Sequence, residues 1–320
     1  MSRYEEADLA KVRRIGVTER ASKVRAEELA RPAAEVASFA QFWDGLPPHL
    51  GARDLRALAQ AVVRARAKGR PVIWMFGAHA IKVGLSPVLI SLVREDLATL
   101  LAVNGAFAIH DAELSLWGRT SEEVERELHQ GRFGMVRETA EVLNGAAVEG
   151  SRRGEGLGEA TGRVLAERRA SWCAESVLGV CYEAGVPATV HVAIGTDVVH
   201  QHPEFSGAAF GETSARDFRI LAAHLEEMAG AVAINVGSAV ILPEVFLKAF
   251  SVAVNLGASA EGLVTASLDF VRQYRPLRNV VQRPPGPGGC GYYLVGHHEI
   301  LLPLLQQGLR LERQRLTGEG

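Results

Sequence analysis

The stretch Arg70–Asp111, RPVIWMFGAHAIKVGLSPVLISLVREDLATLLAVNGAFAIHD, decides the fold. Its first apolar run, Val72–Phe76, stops at Gly77-Ala78-His79. A helical segment then opens at Pro87 and carries Leu89, Leu92 and Val93 on one face. A second apolar run, Leu97–Val103, stops at Asn104-Gly105-Ala106. Short apolar runs on either side of an amphipathic helix describe a βαβ unit in a buried parallel sheet. Pro87 suits the first turn, where a missing N–H costs no hydrogen bond. Ligands of such sheets bind in the crevice outside the carboxyl ends of the strands. The small residues at both strand ends predict that a flat ligand can approach the backbone there.

The same device recurs downstream. Ala188–Ile194 ends at Gly195-Thr196-Asp197, and Ala231–Val236 ends at Gly237-Ser238-Ala239 before a helix opening at Pro243. Gly262–Val264 ends at Thr265-Ala266-Ser267, and Tyr292–Val295 ends at Gly296-His297-His298, with Pro303 opening the last helix. The pattern predicts an α/β fold, a Rossmann-like parallel sheet with helices on both faces, over residues 71–320. A helical N-terminal extension over 1–70 precedes it, rich in Ala, Arg and Glu, with Asp54 capping a helix Leu55–Lys68 that stops at Gly69. Between the strands, His110–Leu114 starts a helix with Asp111 and Glu113 in its first turn, where the dipole favours acids. Thr120 and Glu123 form a capping box for a helix over 121–129, and a further helix runs to Asn144. Gly154-Glu155-Gly156-Leu157-Gly158 has a superficial likeness to a dinucleotide loop. It follows a helical pattern instead of a strand, which makes it a flexible loop ahead of the helix Arg163–Cys181. Residues 276–291, rich in Pro and Gly, read as a long irregular loop.

The 320-residue chain is 48% hydrophobic and 22% charged, enough apolar sequence for a large core. Its formal charge of −2 gives no global attraction to nucleic acid or to an anionic membrane. No apolar run approaches the ~20 residues that span a bilayer, and the charged N-terminus has no signal-peptide core. A cytoplasmic protein is expected. Cys173, Cys181 and Cys290 show neither CxxC spacing nor an even count, which predicts incidental or buried thiols.

Polar residues gather at the expected strand ends: His79, Lys82, Asn104, His110, Asp111, Glu113, Asp197, Asn235 and Asp269 among them. With His200, His202, His297 and His298, six of the ten histidines fall on one predicted rim. His200 and His202, two apart, share a face if the segment is extended. Together with Asp111, Glu113 or Glu299 these histidines either ligate a metal or hydrogen-bond within a polar cleft. No HExxH or comparable spacing is present, so no metal is expected. No GxSxG elbow or GxxxxGK[ST] loop occurs, and Ser238 in VGSAV lacks an elbow around it.

From Val72 to the last helix, these residues resemble deoxyhypusine synthase, an NAD-dependent enzyme that moves the aminobutyl group of spermidine to a protein lysine. Gly77-Ala78-His79-Ala80 before GLSPVLISLV is similar to that family's cofactor turn and following helix. Val103-Asn104-Gly105-Ala106 followed by HDAEL resembles its Thr-Ala-Gly-Gly turn and acidic residues. Gly195-Thr196-Asp197 resembles its Thr-Asp-Gly-Ser segment, AINVGSAVILPEV its glycine-rich strand end, and Val264-Thr265-Ala266 its Asn-Thr-Ala turn. The resemblance implies NAD at the strand ends, held by Gly77, Ala78, His79, Asn104, Gly105, Ala106, Thr196, Asp197, Gly237, Ser238, Thr265, Ala266 and Asp269. It also implies a homotetramer with sites between subunits.

The family's imine-forming lysine, in a Trp-Gly-Lys segment, is replaced here by Val295-Gly296-His297-His298, and its Lys-His-His by Leu242-Pro243-Glu244. Histidine cannot supply an imine's amine. Of the five lysines, Lys11, Lys23, Lys68, Lys82 and Lys248, only Lys82 falls in an expected cleft loop. The reading is an NAD-dependent enzyme that oxidises a small amine or polyamine and transfers the resulting group to a small acceptor. Asp111, Glu113 and Glu299 hold the cation, and a histidine, from His110, His200, His202, His297 and His298, takes the proton. Two alternatives stay open: a metal-dependent hydrolase or lyase built on the His/Asp cluster, and a ligand-binding relative without catalysis.

Overall fold

The computed structural model describes residues 3–16, 19–21, 23, 25–32, 38–168, 172, 174 and 176–318. The chain divides into two compact units, the first ending at His49 and the second starting at Leu50. Described residues of the first form two 3-10 turns, Leu9–Lys11 and Ala26–Glu28, and one helix, α1 (Phe39–Gly45), capped by the Ser38 hydroxyl. This is much less helix than the composition of residues 1–70 predicts. Leu9, Val12, Ile15 and Leu29 stay exposed there, and helix propensity without burial does not offset the cost of nucleation.

The helix of that region, α2 (Leu50–Ala67), belongs to the second unit, so the boundary lies near residue 50 instead of 70. It starts five residues before the expected Leu55, buries Leu55, Leu58, Ala59, Val62 and Val63, and holds Asp54 in its interior beside Arg53. Gly69, at φ +66°, then turns the chain into the sheet.

There follow β1 (Val72–Phe76), α3 (His79–Lys82), α4 (Ser86–Arg94), β2 (Leu100–Asn104), α5 (Gly105–Trp117), α6 (Val124–Leu128) and α7 (Arg137–Arg153). Next come α8 (Leu157–Arg168), α9 (Val177–Ala184), β3 (Ala188–His191), α10 (Gly207–His224), β4 (Val232–Val236) and α11 (Ile241–Asn255). The unit closes with β5 (Val264–Asp269), α12 (Tyr274–Pro276) running into a π-helix (Leu277–Gln282), β6 (Cys290–Val295) and α13 (His298–Thr317). All strand pairs are parallel, in the order β3-β2-β1-β4-β5-β6. This is the Rossmann order, and its direction reverses between β1 and β4.

Every residue of β1 and β4 is buried, as expected of central strands covered on both faces. Alternation divides them. Ile73 and Met75 pack with Leu100 and Ala102 against Leu221 of α10 and Leu242 and Phe246 of α11. Trp74 and Phe76 point the other way; their rings stack 5.8 Å apart, and Phe76 continues to Phe107 of α5 at 6.2 Å. Each such fully buried side chain contributes about 1.5–3 kcal/mol. The Trp74 indole N–H donates to the Leu97 carbonyl at 2.9 Å, so its burial leaves no donor unmet. At the edge, the Val190 N–H of β3 donates to Asp217 and its carbonyl accepts the Ser214 hydroxyl, both from α10. That covers the outer edge of β3, which has no strand beside it.

Several boundaries differ from expectation. β3 stops at His191, and β2 begins at Leu100. Residues 276–291 hold the end of α12, the π-helix and the start of β6 instead of one long loop. Pro87 lies in the first turn of α4, but α13 opens five residues before Pro303, which sits inside it. The GEGLG segment is no nucleotide loop: Gly154 ends α7 at φ +75°, and Gly158 lies within α8 against the Ala188 carbonyl. Cys181 is buried and free, and Cys290 shares a hydrogen bond with the Tyr292 hydroxyl; Cys173 lies outside the described residues. Among the described residues no helix is long and apolar enough to cross a membrane.

Candidate functional site

β2 passes into α5 without a loop. The Asn104 side chain accepts the Phe107 N–H at 3.0 Å and caps the helix at its first turn. Helix α5 therefore starts at Gly105, five residues earlier than expected, and Asp111 and Glu113 fall in its middle. With 3.6 residues per turn, His110 and Glu113 share a face and Asp111 looks elsewhere. That rotation separates residues that the sequence groups together.

The His110–Glu113 face lines a cleft of about 210 Å³ at the carboxyl ends of β2 and β3. Lys82 of α3, Glu122 and the Thr196-Asp197 pair complete its polar walls, with Ile109 and Phe133 as apolar floor. Glu113 accepts two hydroxyls, from Thr120 and from Thr139 of α7 at 2.9 Å. His110 Nδ1 lies 2.6 Å from Thr120 Oγ1, and burial, reinforced by the Lys82 ammonium, pushes the imidazole down to about 4. Glu122 accepts the Gly134 N–H with both oxygens at 3.1 Å. A second, wider cleft of about 510 Å³ shares Glu113, Ser121 and Glu122 with the first.

Asp197 closes the cleft from the β3 side. Its Oδ2 is buried with no hydrogen-bond partner, and burial pushes the carboxyl up to about 6. Gly105 leaves room for it, since a Cβ there would stand 2.1 Å from that oxygen. His200 Nδ1 accepts the N–H groups of Gly195 at 3.1 Å and Asp197 at 3.4 Å, so its proton resides on Nε2. That Nε2 is also buried without a partner, 3.9 Å from Asp197 Oδ2, and burial lowers the imidazole's pKa.

A separate group stands at the switch between β1 and β4. A Cβ on Gly77 would meet the Gly237 carbonyl at 2.5 Å, and one on Gly237 would meet the His298 ring at 2.5 Å. Both glycines thus serve close packing of the strand ends. The exposed ring of His79 lies 5.6 Å from that of His298 and 6.2 Å from that of Phe270. His298 Nε2 shares a hydrogen bond with the Leu268 carbonyl at 3.2 Å, and its buried Nδ1 has no partner.

The remaining expected residues are placed differently. Asp111 is fully buried and accepts Ser176 Oγ–H (2.9 Å), Val177 N–H (2.7 Å) and Leu178 N–H (3.0 Å), which anchors α9; it does not line the cleft. Burial pushes it up to about 6 against the pull of those three donors. His202 Nε2 bonds the Gly134 carbonyl at 2.8 Å, away from His200, because Val198–Gln201 is a 3-10 turn and not extended. His297 and Glu299 face each other at 3.8 Å on the exposed start of α13. Ser238 Oγ accepts the Leu242 N–H and so starts α11. Thr265 and Ala266 lie buried within β5, and the turn comes later, after Asp269, whose Oδ1 accepts the Phe270 N–H. Among the described residues no three His, Cys, Asp or Glu side chains gather as they would around a metal. Sequence reasoning missed Glu122, Thr120 and Thr139. The first two look like helix-start residues, yet α6 begins only at Val124.

No family model matches the chain, and no curated protein matches it. Solved structures do. A putative LOR/SDH protein from Methanococcus maripaludis S2 is 16% identical, with TM-score 0.53 over 84% of this chain and 71% of its own. AgrE, solved with ornithine and NAD+, is 16% identical at TM-score 0.51; the match covers 84% of this chain, which spans about a third of AgrE, 34%. A putative deoxyhypusine synthase from Entamoeba histolytica is 9% identical at TM-score 0.51, over 87% of this chain and 95% of its own. At such identities the likeness is one of fold: this chain shares with all three a Rossmann-like α/β architecture.

Proposed function

We propose that this protein is an NAD-dependent enzyme acting on a small amine, akin to deoxyhypusine synthase but without an imine-forming lysine. The observation that carries the reading is the charge of the cleft. Three carboxylates, Glu113, Glu122 and Asp197, face one ammonium, Lys82, at the carboxyl end of a Rossmann-ordered sheet. An acidic, partly apolar cleft favours a cationic alkylamine over an anion. The adjoining cleft, which shares Glu113 and Glu122, runs on past Trp117 and gives room for a longer amine. Crystallisation of AgrE, of the same fold, with ornithine and NAD+ is consistent with this reading.

NAD fits the residues present. Asp197 keeps a buried oxygen free to accept ribose hydroxyls, and the His79 and Phe270 rings offer flat surfaces beside the β1–β4 switch. Bound NAD would supply the hydride acceptor for amine oxidation. Glu113 and Glu122 then hold the ammonium, and Ile109 and Phe133 shield its carbon chain from water. The oxidised group passes to a small acceptor instead of a lysine of this chain, and the active form is a homo-oligomer. Isothermal titration with NAD, followed by spermidine, tests the reading. Heat on addition of each is expected; no heat at millimolar NAD sinks it.

A further inference from the structure

Resting on that reading of the cleft, we propose that Thr120 is a positioning residue. Through Glu113 it locks His110 in the Nδ1–H tautomer, so that a bare Nε2 faces the cleft as the acceptor for a substrate N–H. The direction of the hydrogen bonds carries the inference. Glu113 Oε2, a carboxylate oxygen, can only accept, so the Thr120 hydroxyl donates its one proton to it. Thr120 Oγ1 then has only lone pairs to offer His110 Nδ1, 2.6 Å away, and that nitrogen must carry the hydrogen. Thr139 donates to the other oxygen of Glu113 and keeps the carboxylate from turning. The chain His110 Nδ1–H to Thr120 O–H to Glu113 is therefore polarised in one sense only.

The groups facing His110 agree. Burial disfavours an imidazolium at His110, and Lys82 on α3 stands close enough to oppose it further; Glu113, 3.9 Å from Nδ1, pulls the other way. Burial, with Lys82 adding to it, prevails, so His110 stays neutral and its Nε2 lone pair remains available through the neutral pH range. A neutral imidazole with a bare Nε2 accepts a hydrogen bond from a cationic amine without charge repulsion; an imidazolium or an Nε2–H tautomer would repel the same group.

The test is two-bond 1H–15N spectroscopy on the full chain labelled at histidine, which reads the tautomer with no ligand present. His110 is expected as Nδ1–H with an unprotonated Nε2 at neutral pH. Thr120→Val should lose the fixed tautomer, and Thr120→Ser, which keeps the hydroxyl, should restore it. An Nε2–H tautomer in the wild type, or an Nδ1–H tautomer persisting in Thr120→Val, overturns the proposal. Titration with 1,4-diaminobutane separates this inference from the reading beneath it. A locked tautomer without binding sinks the amine reading and leaves the relay intact. Binding that leaves the His110 Nε2 resonance unmoved overturns the acceptor role. Thr120→Val is expected to weaken diamine binding by about 2–10-fold, the worth of one hydrogen bond, while Thr120→Ser stays close to wild type.

Discussion

At the scale of single residues, position along a helix decides what an acid does. Asp111 and Glu113 are two apart in sequence, yet one is sealed beneath α9 and the other faces the cleft. Asp111→Ala should destabilise the protein by about 3 kcal/mol, because it leaves two buried N–H groups and a hydroxyl unmet. Urea unfolding measures this. Affinity for an amine in the refolded variant should be unchanged, whereas Glu113→Ala should lose affinity and cost about 1–2 kcal/mol, because the Thr120 and Thr139 hydroxyls lose their acceptor. Lys82 is the only lysine lining the cleft, while Lys248 is paired with Glu244 on the exposed face of α11. No covalent substrate imine is expected. Borohydride trapping with radiolabelled spermidine and peptide mapping checks this, and a labelled Lys82 peptide would restore covalent chemistry on a relocated lysine.

At the scale of elements, the joint between β2 and α5 is the critical one. Gly105 occupies the first position of α5, where replacing Gly by Ala ordinarily gains up to about 1 kcal/mol. Here the added Cβ would stand 2.1 Å from Asp197 Oδ2 and drive the β3 turn out of the cleft. Gly105→Ala should instead cost about 1–3 kcal/mol, the range for overpacking, and should weaken NAD binding. In a double-mutant cycle with Asp197→Ala, most of the stability cost should vanish, since the clashing carboxylate is gone. Additive effects on thermal unfolding would mean that Gly105 and Asp197 do not meet.

At the scale of the whole molecule, stability depends on charges that folding takes out of water. Burial pushes Asp217 up to about 7 from 3.8, although Val190 and Gly158 donate to it. A carboxyl raised on folding binds more protons in the native state than in the unfolded one between those values. Its contribution is therefore lost as pH rises from about 4 to about 7. His110 and His191, pushed down to about 4 by burial, act in the opposite sense and are lost as pH falls below 6.5. Asp217→Asn removes only the first effect. Relative to wild type, its unfolding free energy should climb between pH 4 and 7 and level off above 7. Parallel profiles across that window would show that Asp217 ionises normally.

Local pattern was enough to read the sheet. Val72–Phe76 and, Asn235 apart, Ala231–Val236 are apolar on both faces, and a strand of that kind has nowhere to lie but the middle of a parallel sheet with helices on each side. The small residues after the strands likewise marked the carboxyl edge where the cleft opens. Two other things were not written locally. The first is helix phase: whether α5 starts at Gly105 or at His110 depends on one Asn104 hydrogen bond, and the difference turns Asp111 inward and His110 with Glu113 outward. The second is what the glycines accommodate. Gly77, Gly105 and Gly237 look alike as breaks after strands. The fold fills one with a backbone carbonyl, one with the Asp197 carboxylate and one with the His298 ring. Those partners lie tens to hundreds of residues away, so only the packed chain brings them together. Thr120 met His110 and Glu113 in the same way, through a loop whose local signature was that of a helix cap.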